Sequence, residues 1–234
     1  MNKEDFENLA DEGFNHVPLV LESFADLDTP LSIYLKYANE PYSYLLESVQ
    51  GGEQFGRYSF VGLPSRTRYE VRGQTCCEIR DGVVVAQVTS EDPISWVSEL
   101  QERTRAYYRD DLPRFLGGLV GYFGYETVHM IESRVGRGEN KSDPIDCPDI
   151  LLLHSDEVIV YDNLAAKLYF VVFANPQEPD AYERGQKRLA ALFADLRESV
   201  DEPKEEMLKL ALPHEETPQD IFTESVARAK EYIH

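Results

Sequence analysis

The chain has 234 residues, of which 42% are hydrophobic and 11% aromatic, enough apolar material for a sizeable core and too much for a disordered chain. Acidic residues outnumber basic ones 43 to 23, a formal net charge of −20, so repulsion excludes nucleic-acid backbones and anionic membrane surfaces as partners. Three cysteines, Cys76, Cys77 and Cys147, without CxxC spacing form neither a disulfide framework nor a zinc motif, and with no signal-like stretch or apolar run near the roughly 20 residues of a membrane span the expected compartment is the cytoplasm.

Residues 1–15 are acidic and polar with scattered apolar positions, and read either as a short helix or as a mobile segment. Val17–Phe24 reads as a strand. Asp28-Thr29-Pro30 opens a helix, with Thr29 as N-cap and Pro30 at the first helical position, where a missing N–H is harmless. Leu31, Tyr34, Leu35 and Ala38 share one face of it, the pattern of core packing. Tyr42–Val49 and Arg57–Leu63 flank Gly51, Gly52 and Gly56 as two arms of a β-hairpin. Glu47, Ser48 and Arg57 are polar residues on or beside these apolar arms. Such groups are costly to bury unpartnered, so they either pair with each other or receive a ligand.

Thr67–Val71, Thr75–Arg80 and Val83–Val88, separated by Arg72-Gly73 and Asp81-Gly82, form an antiparallel meander. Within it Cys76 and Cys77 alternate faces, one filling core and one exposed. Glu91-Asp92-Pro93 starts a helix predicted to run to about Tyr107, with Ile94, Val97 and Leu100 as its apolar stripe and Trp96 packing beside it. Leu116–Tyr125 is a strand punctuated by Gly117, Gly118, Gly121 and Gly124, which implies a bulge or close approach of another backbone. Its spacing is not GxGxxG and no GKS or GKT follows, so a phosphate loop is excluded. A helix starts at Glu126–Ile131, and residues 132–146 form a polar loop.

Ile150–Tyr161 and Lys167–Phe173 read as a second long hairpin about Asp162-Asn163. His154, inside the first arm, has the surroundings of a hydrogen-bonded structural histidine, and Asp110-Asp111 and Asp156-Glu157 read as solvated loop or strand-face charges. Pro179–Leu196 is helical, with Tyr182, Leu189, Leu192 and Phe193 on its apolar side. An acidic, proline-containing connector follows, with a short strand expected at Leu208–Leu212. Thr217-Pro218 opens the last helix, whose Phe222, Val226, Ala229 and Ile233 share a face. Strands and hairpin turns outnumber helices and no βαβ rhythm appears, which predicts an α+β fold of antiparallel sheets with helices on the outer faces. There is no nucleophile with a base and an orienting group, no HExxH and no dense acidic Mg²⁺ motif, so no catalytic residue and no metal ligand is assigned.

Several blocks, in order along the chain, resemble one family. LLESVQGGEQFGRYSFVG (45–62), VPLVLESFADLDTPLSIYLKYA (17–38), FLGGLVGYFGYE (115–126), PDILLLHSDEVIVYDN (148–163) and FTESVARAKEYI (222–233) are similar to anthranilate synthase component I. The resemblance implies the N-terminal part of a larger two-sheet chorismate-utilising enzyme: a regulatory and structural domain over 1–198, a connector over 199–219, and over 220–234 the first helix leading into a catalytic domain beyond this chain. It also implies that the whole enzyme, a lyase of tryptophan biosynthesis, turns chorismate and ammonia into anthranilate and pyruvate. Its partner would be a glutamine amidotransferase component II, and its Mg²⁺ ligands would lie outside this chain. The LLES segment matches the family's feedback site for L-tryptophan, placing Ser48, Glu47, Arg57 and Pro30 as candidate tryptophan-binding residues. Adjacent strand residues face opposite ways, so Glu47 and Ser48 cannot both aim side chains into one pocket without a bulge. Aminodeoxychorismate synthase component I, or a free-standing small-molecule-binding module, is the alternative. The chain alone is expected to be inactive and to self-associate through apolar faces.

Overall fold

The structure is a computed structural model that describes residues 1–47, 56–132, 134, 145–197 and 217–233. It clusters into two units, Met1–Val200 and Asp201–His234. The larger unit contains two five-stranded antiparallel sheets. In chain order its elements are α1 (Lys3–Asp11), β1 (Val17–Phe24), α2 (Pro30–Tyr37), β2 (Tyr44–Leu46), β3 (Tyr58–Gly62), β4 (Thr67–Arg72), β5 (Thr75–Arg80), β6 (Val83–Thr89), α3 (Pro93–Glu102), β7 (Gly118–Phe123), a 3₁₀ turn (Tyr125–Thr127) into α4 (Val128–Ile131), β8 (Ile150–Ser155), β9 (Glu157–Asp162), β10 (Lys167–Ala174) and α5 (Ala181–Asp195). The smaller unit holds α6 (Gln219–Ile233), which carries exposed Ile221, Phe222 and Val226. The α+β class expected from the pattern is the class observed.

The first sheet has the order β1-β10-β9-β3-β2, the second β6-β5-β4-β8-β7. Helices α1, α2 and α5 cover one face of the first sheet. Phe6 and Leu9, Ile33, and Leu189 and Leu192 meet Val17, Leu19, Val61, Ile159 and Phe170 there. The opposite face packs Val158, Val160 and Val171 against Leu112 and Leu116 from the segment before β7. Helix α3 covers the second sheet, setting Val97 with Val71, Cys76, Ile150 and Leu152, and Trp96 packs against Tyr69 as expected of a core-edge tryptophan. Cys76 is buried, as expected of the core-facing thiol, while Cys77 is half-buried instead of exposed.

Caps set where the helices begin. The Asn2 side chain accepts from Asp5 N–H, Thr29 and Ser32 form a reciprocal capping box around Pro30, and Asp92 accepts from Ser95 N–H. Helix α3 stops at Glu102, short of the expected Tyr107, because its continuation is captured by other partners. Asn15 bonds both the carbonyl of Arg103 and the N–H of Arg105, and Tyr107 N–H donates to the carbonyl of His16. The first hairpin arm likewise starts at Tyr44 instead of Tyr42, since the Ser43 hydroxyl bonds the carbonyls of Ala38 and Glu40 and Tyr42 adopts positive φ. Val49 and the expected strand at Leu208–Leu212 lie outside the described residues, as does most of the 132–146 loop.

The largest departure concerns Ile150–Tyr161, expected as one hairpin arm. It is two strands in two sheets. β8 lies between β4 and β7, β9 lies between β10 and β3, and Asp156 alone separates them. The second path between the sheets, from β3 to β4, needs only residues 63–66. Tyr44 Oη adds a tie at 2.8 Å to Ser155 Oγ, linking the edge strand β2 to the end of β8, and burial pushes its phenol up to about 12.

Gly121 of β7 and Gly117 just before it answer a close approach of backbone, whereas Gly118 has open space and a positive φ. A Cβ on Gly121 would run into the carbonyl of Leu151 on the paired strand, and one on Gly117 would meet the Ser155 carbonyl and the Phe173 ring. Gly121→Ala is expected to destabilise the fold by about 1–3 kcal/mol through overpacking, measured as a lowered midpoint in urea unfolding. An unchanged midpoint would show that β7 can shift away from β8 freely.

Candidate functional site

Three of the four residues singled out around the first hairpin are described, and Ser48 lies outside the described residues. Pro30 is the first residue of α2 and is half-buried. Glu47 is exposed directly after β2, whose Leu46 pairs with Phe60. Arg57 stands one residue before β3. The three are brought to the same end of the first sheet by β9. Tyr161 of that strand donates to the carbonyl of Asp28 at 3.1 Å, beside the start of α2, and its neighbour Asp162 holds Arg57.

Arg57 is committed to that contact. Its Nη2 lies 2.7 Å from Asp162 Oδ2, and its Nε lies 3.2 and 3.1 Å from the two carboxylate oxygens. Asp162 is fully buried and also accepts from the N–H groups of Leu164 and Ala165. Burial pushes its carboxyl up, but the hydrogen bonds from Arg57, Ala165 and Leu164 outweigh it and leave the group below its ordinary value. Asn163 completes the turn by donating to the Gly56 carbonyl and to Ser59 Oγ. The guanidinium also sits over the Tyr58 ring, 4.8 Å from its centroid. The hairpin base is therefore rigidly pinned to β9. Beside Pro30, Leu27 and Leu31 stand exposed, as do Phe24 and Leu164.

A second grouping forms where β8 passes into β9. His154 Nδ1 lies 3.1 Å from Asp156, so the reading of Asp156 as a solvated strand-face charge gives way to a half-exposed carboxylate bonded to a half-buried imidazole. Glu157, its neighbour, takes a two-pronged contact from Arg188 on α5. His16, just ahead of β1, completes the group. It is 8% exposed, its ring stacks on Phe173 at 3.9 Å between centroids and 7° between planes, and its Nε2 stands 3.8 Å from Asp156 Oδ1. Burial pushes His16 down to about 4, against the pull of Asp156, so its imidazole is neutral at pH 7. His154 is raised instead: burial lowers it, but the hydrogen bond and charge of Asp156 prevail.

His16 carried no signal in the sequence. It is a single histidine between an asparagine and a strand, and only the fold brings it to residues 138 and 140 positions away. A polar cleft of about 540 Å³ opens on this group, lined in part by Asn15, Arg66, Glu178, Arg184 and Arg188, and a second cavity of about 270 Å³ reaches it from Tyr107, Leu116 and Gly117. Two imidazoles and one carboxylate do not suit Mg²⁺, which prefers an octahedral shell of oxygens.

A model of the family described as chorismate binding enzyme matches residues 43–234. The chain belongs to the chorismate-binding enzyme family. It is similar along its whole length to anthranilate synthase component 1 of Pseudomonas putida, with 47% identity, and to that of Pseudomonas aeruginosa, also with 47% identity. In both cases it covers 48% of the relative, so the chain spans about half the length of the curated relatives it matches. Among solved structures, anthranilate synthase component I from Streptococcus pneumoniae aligns with a TM-score of 0.49 and 21% identity, over 76% of this chain and 37% of that one. Within this member of the chorismate-binding family, the whole second sheet and β2, β3, β9 and β10 of the first fall inside the matched span, whereas α1, β1 and α2 precede it.

The Arg57–Asp162 pair fixes a pH dependence. Because Asp162 is depressed in the fold, its contribution is present above the unfolded carboxyl value, near pH 4, and is lost as pH falls through the folded value. Asp162→Asn is expected to be less stable than the native chain at pH 7, with the gap closing as pH falls below about 4. Urea midpoints measured from pH 7 to acid would show this, and a gap constant across that range would remove the pair as its cause.

Proposed function

We propose that this chain is the N-terminal regulatory and structural part of an anthranilate synthase component I. The observation that carries the reading is 47% identity, sustained over the full chain, to relatives of that name that are about twice as long. In this reading residues 1–198 form the regulatory domain, 199–219 the connector and 220–234 the first helix leading into a catalytic domain. The whole protein is a cytoplasmic lyase that converts chorismate and ammonia to anthranilate and pyruvate, with a glutamine amidotransferase component II supplying the ammonia. Mg²⁺ is held by residues outside this chain, consistent with the nitrogen-rich grouping at His16 being unsuited to it.

The feedback inhibitor is L-tryptophan, bound by Glu47, Ser48, Arg57 and Pro30, of which the three described residues, Glu47, Arg57 and Pro30, stand at one end of the first sheet. An amino acid presents an ammonium, a carboxylate and an indole N–H. Glu47 is exposed and placed to meet the ammonium, while the guanidinium of Arg57 can meet the carboxylate only by sharing itself with Asp162. Exposed Leu27 and Leu31 beside Pro30 offer apolar surface for an indole.

Anthranilate fluorescence tests the reading. The 234-residue chain, given chorismate, Mg²⁺ and ammonium, is expected to form no anthranilate, whereas the longer gene product containing it is expected to form it. Aminodeoxychorismate as the product would overturn the assignment. In that longer enzyme Ser48→Phe is expected to raise the tryptophan concentration for half-inhibition about tenfold or more, equivalent to at least ~1.4 kcal/mol of lost binding, with uninhibited turnover unchanged. Equal inhibition of both forms would remove Ser48 from the site.

A further inference from the structure

The grouping at the β8–β9 junction is built like a metal site. His16, His154 and Asp156 each offer one donor atom, and these atoms all lie within 4.8 Å of one another. His16 Nε2 is the telling member. It is a buried ring nitrogen without a hydrogen-bond partner among the described residues, and its separation of 3.8 Å from Asp156 Oδ1 is too long for a hydrogen bond. Buried polar atoms are nearly always satisfied, and one left over beside a carboxylate and a second imidazole calls for a common partner.

The surroundings hold that nitrogen in place. The backbone of His16 is clamped by Tyr107 N–H on its carbonyl and by a parallel bridge to Ala106, while Phe173 fixes the plane of its ring. His154 is held between the His16 ring, at 5.5 Å, and the edge of Tyr69, at 6.3 Å. The backbone of Asp156 is placed between two central strands, and its carbonyl accepts from Phe173 N–H at 2.8 Å. Such supporting contacts orient ligands ahead of the ion.

We propose that His16, His154 and Asp156 bind a divalent transition-metal ion, with Zn²⁺ as the best fit. Bond lengths of about 2.0–2.2 Å in tetrahedral geometry place donor atoms about 3.4 Å apart. The 3.8 Å from His16 to Asp156 and the 3.1 Å from His154 to Asp156 straddle that spacing. The remaining closure falls to side-chain rotation of the half-exposed Asp156 and the half-buried His154, the two members that are not fully packed. The arginines of the adjoining cleft do not oppose the cation, because each is matched by a carboxylate: Arg66 by Asp81, Arg184 by Glu178 and Arg188 by Glu157. Three protein ligands leave a further coordination position, which faces the cleft and takes water. The ion would join the start of β1 to the junction of the two sheets.

The test uses the untagged 234-residue chain, stripped with chelator and titrated with Co²⁺ as a spectroscopic probe. One equivalent is expected to bind with visible ligand-field absorption and without a thiolate charge-transfer band, and Zn²⁺ is expected to displace it. Asp156→Asn and His154→Gln, each checked for native circular dichroism, should each weaken binding at least tenfold. His16 is a core residue, so its role is read in the native chain: Zn²⁺ should shift its imidazole ¹⁵N resonances in step with occupancy, and Cys147→Ser should leave the titration unchanged. Binding that persists in both folded variants, that depends on Cys147, or that leaves the His16 nitrogens unmoved would overturn the assignment, as would absence of binding at millimolar free metal.

Discussion

One continuous path, residues 150–162, runs through the middle of both sheets with Asp156 alone between its two halves. A central strand is hydrogen-bonded on both sides, so neither half can slide without breaking two ladders at once. The register of β8 against β4 and β7, and of β9 against β10 and β3, is therefore coupled through a single residue. The short β3–β4 link and the Tyr44–Ser155 hydrogen bond work in the same direction. What lies along this path follows from it: the histidine grouping at its midpoint, and Asp162, with the hairpin base pinned to it, at its far end.

The charge of −20 shapes the molecule differently from what a simple acidic surface suggests. Arginines near both candidate sites are engaged by carboxylates, Arg57 by Asp162 in the core and Arg66, Arg184 and Arg188 at the cleft. An anionic ligand at any of these places competes with an existing partner. Exposed pairs of this kind give little stability, so their effect is chiefly to set the local field. At the hairpin the balance differs, because Asp162 also accepts two backbone N–H groups and can share Arg57 without being left bare.

Local chemistry makes much of the fold legible in the sequence alone. Thr29-Pro30 and Asp92-Pro93 are helix starts whose capping groups lie within three residues, so neighbours in sequence suffice to define them. The Asp81-Gly82 hairpin and the β4–β6 meander were readable for the same reason, and only the extra residue Val85, a bulge opposite Glu78 and Ile79, went unseen. Helix α3 ends before its periodicity predicts because its end is set by Asn15 and His16, residues some ninety positions earlier. The division at Asp156 is marked in the sequence only by the polar run His154-Ser155-Asp156-Glu157, and four polar residues do not say that the apolar runs on either side join different sheets.

The sequence by itself determined the α+β class, the hairpins, the helix caps and the family, because these depend on periodicity, turn chemistry and blocks of adjacent residues. Only the tertiary structure decided that Arg57 belongs to Asp162, that Pro30, Glu47 and Arg57 gather at one sheet end, and that His16 stands beside His154 and Asp156. Each of those facts is a contact between residues far apart in the chain. Such contacts are chosen by which faces can bury their apolar area together, and a single sequence carries no local record of that choice.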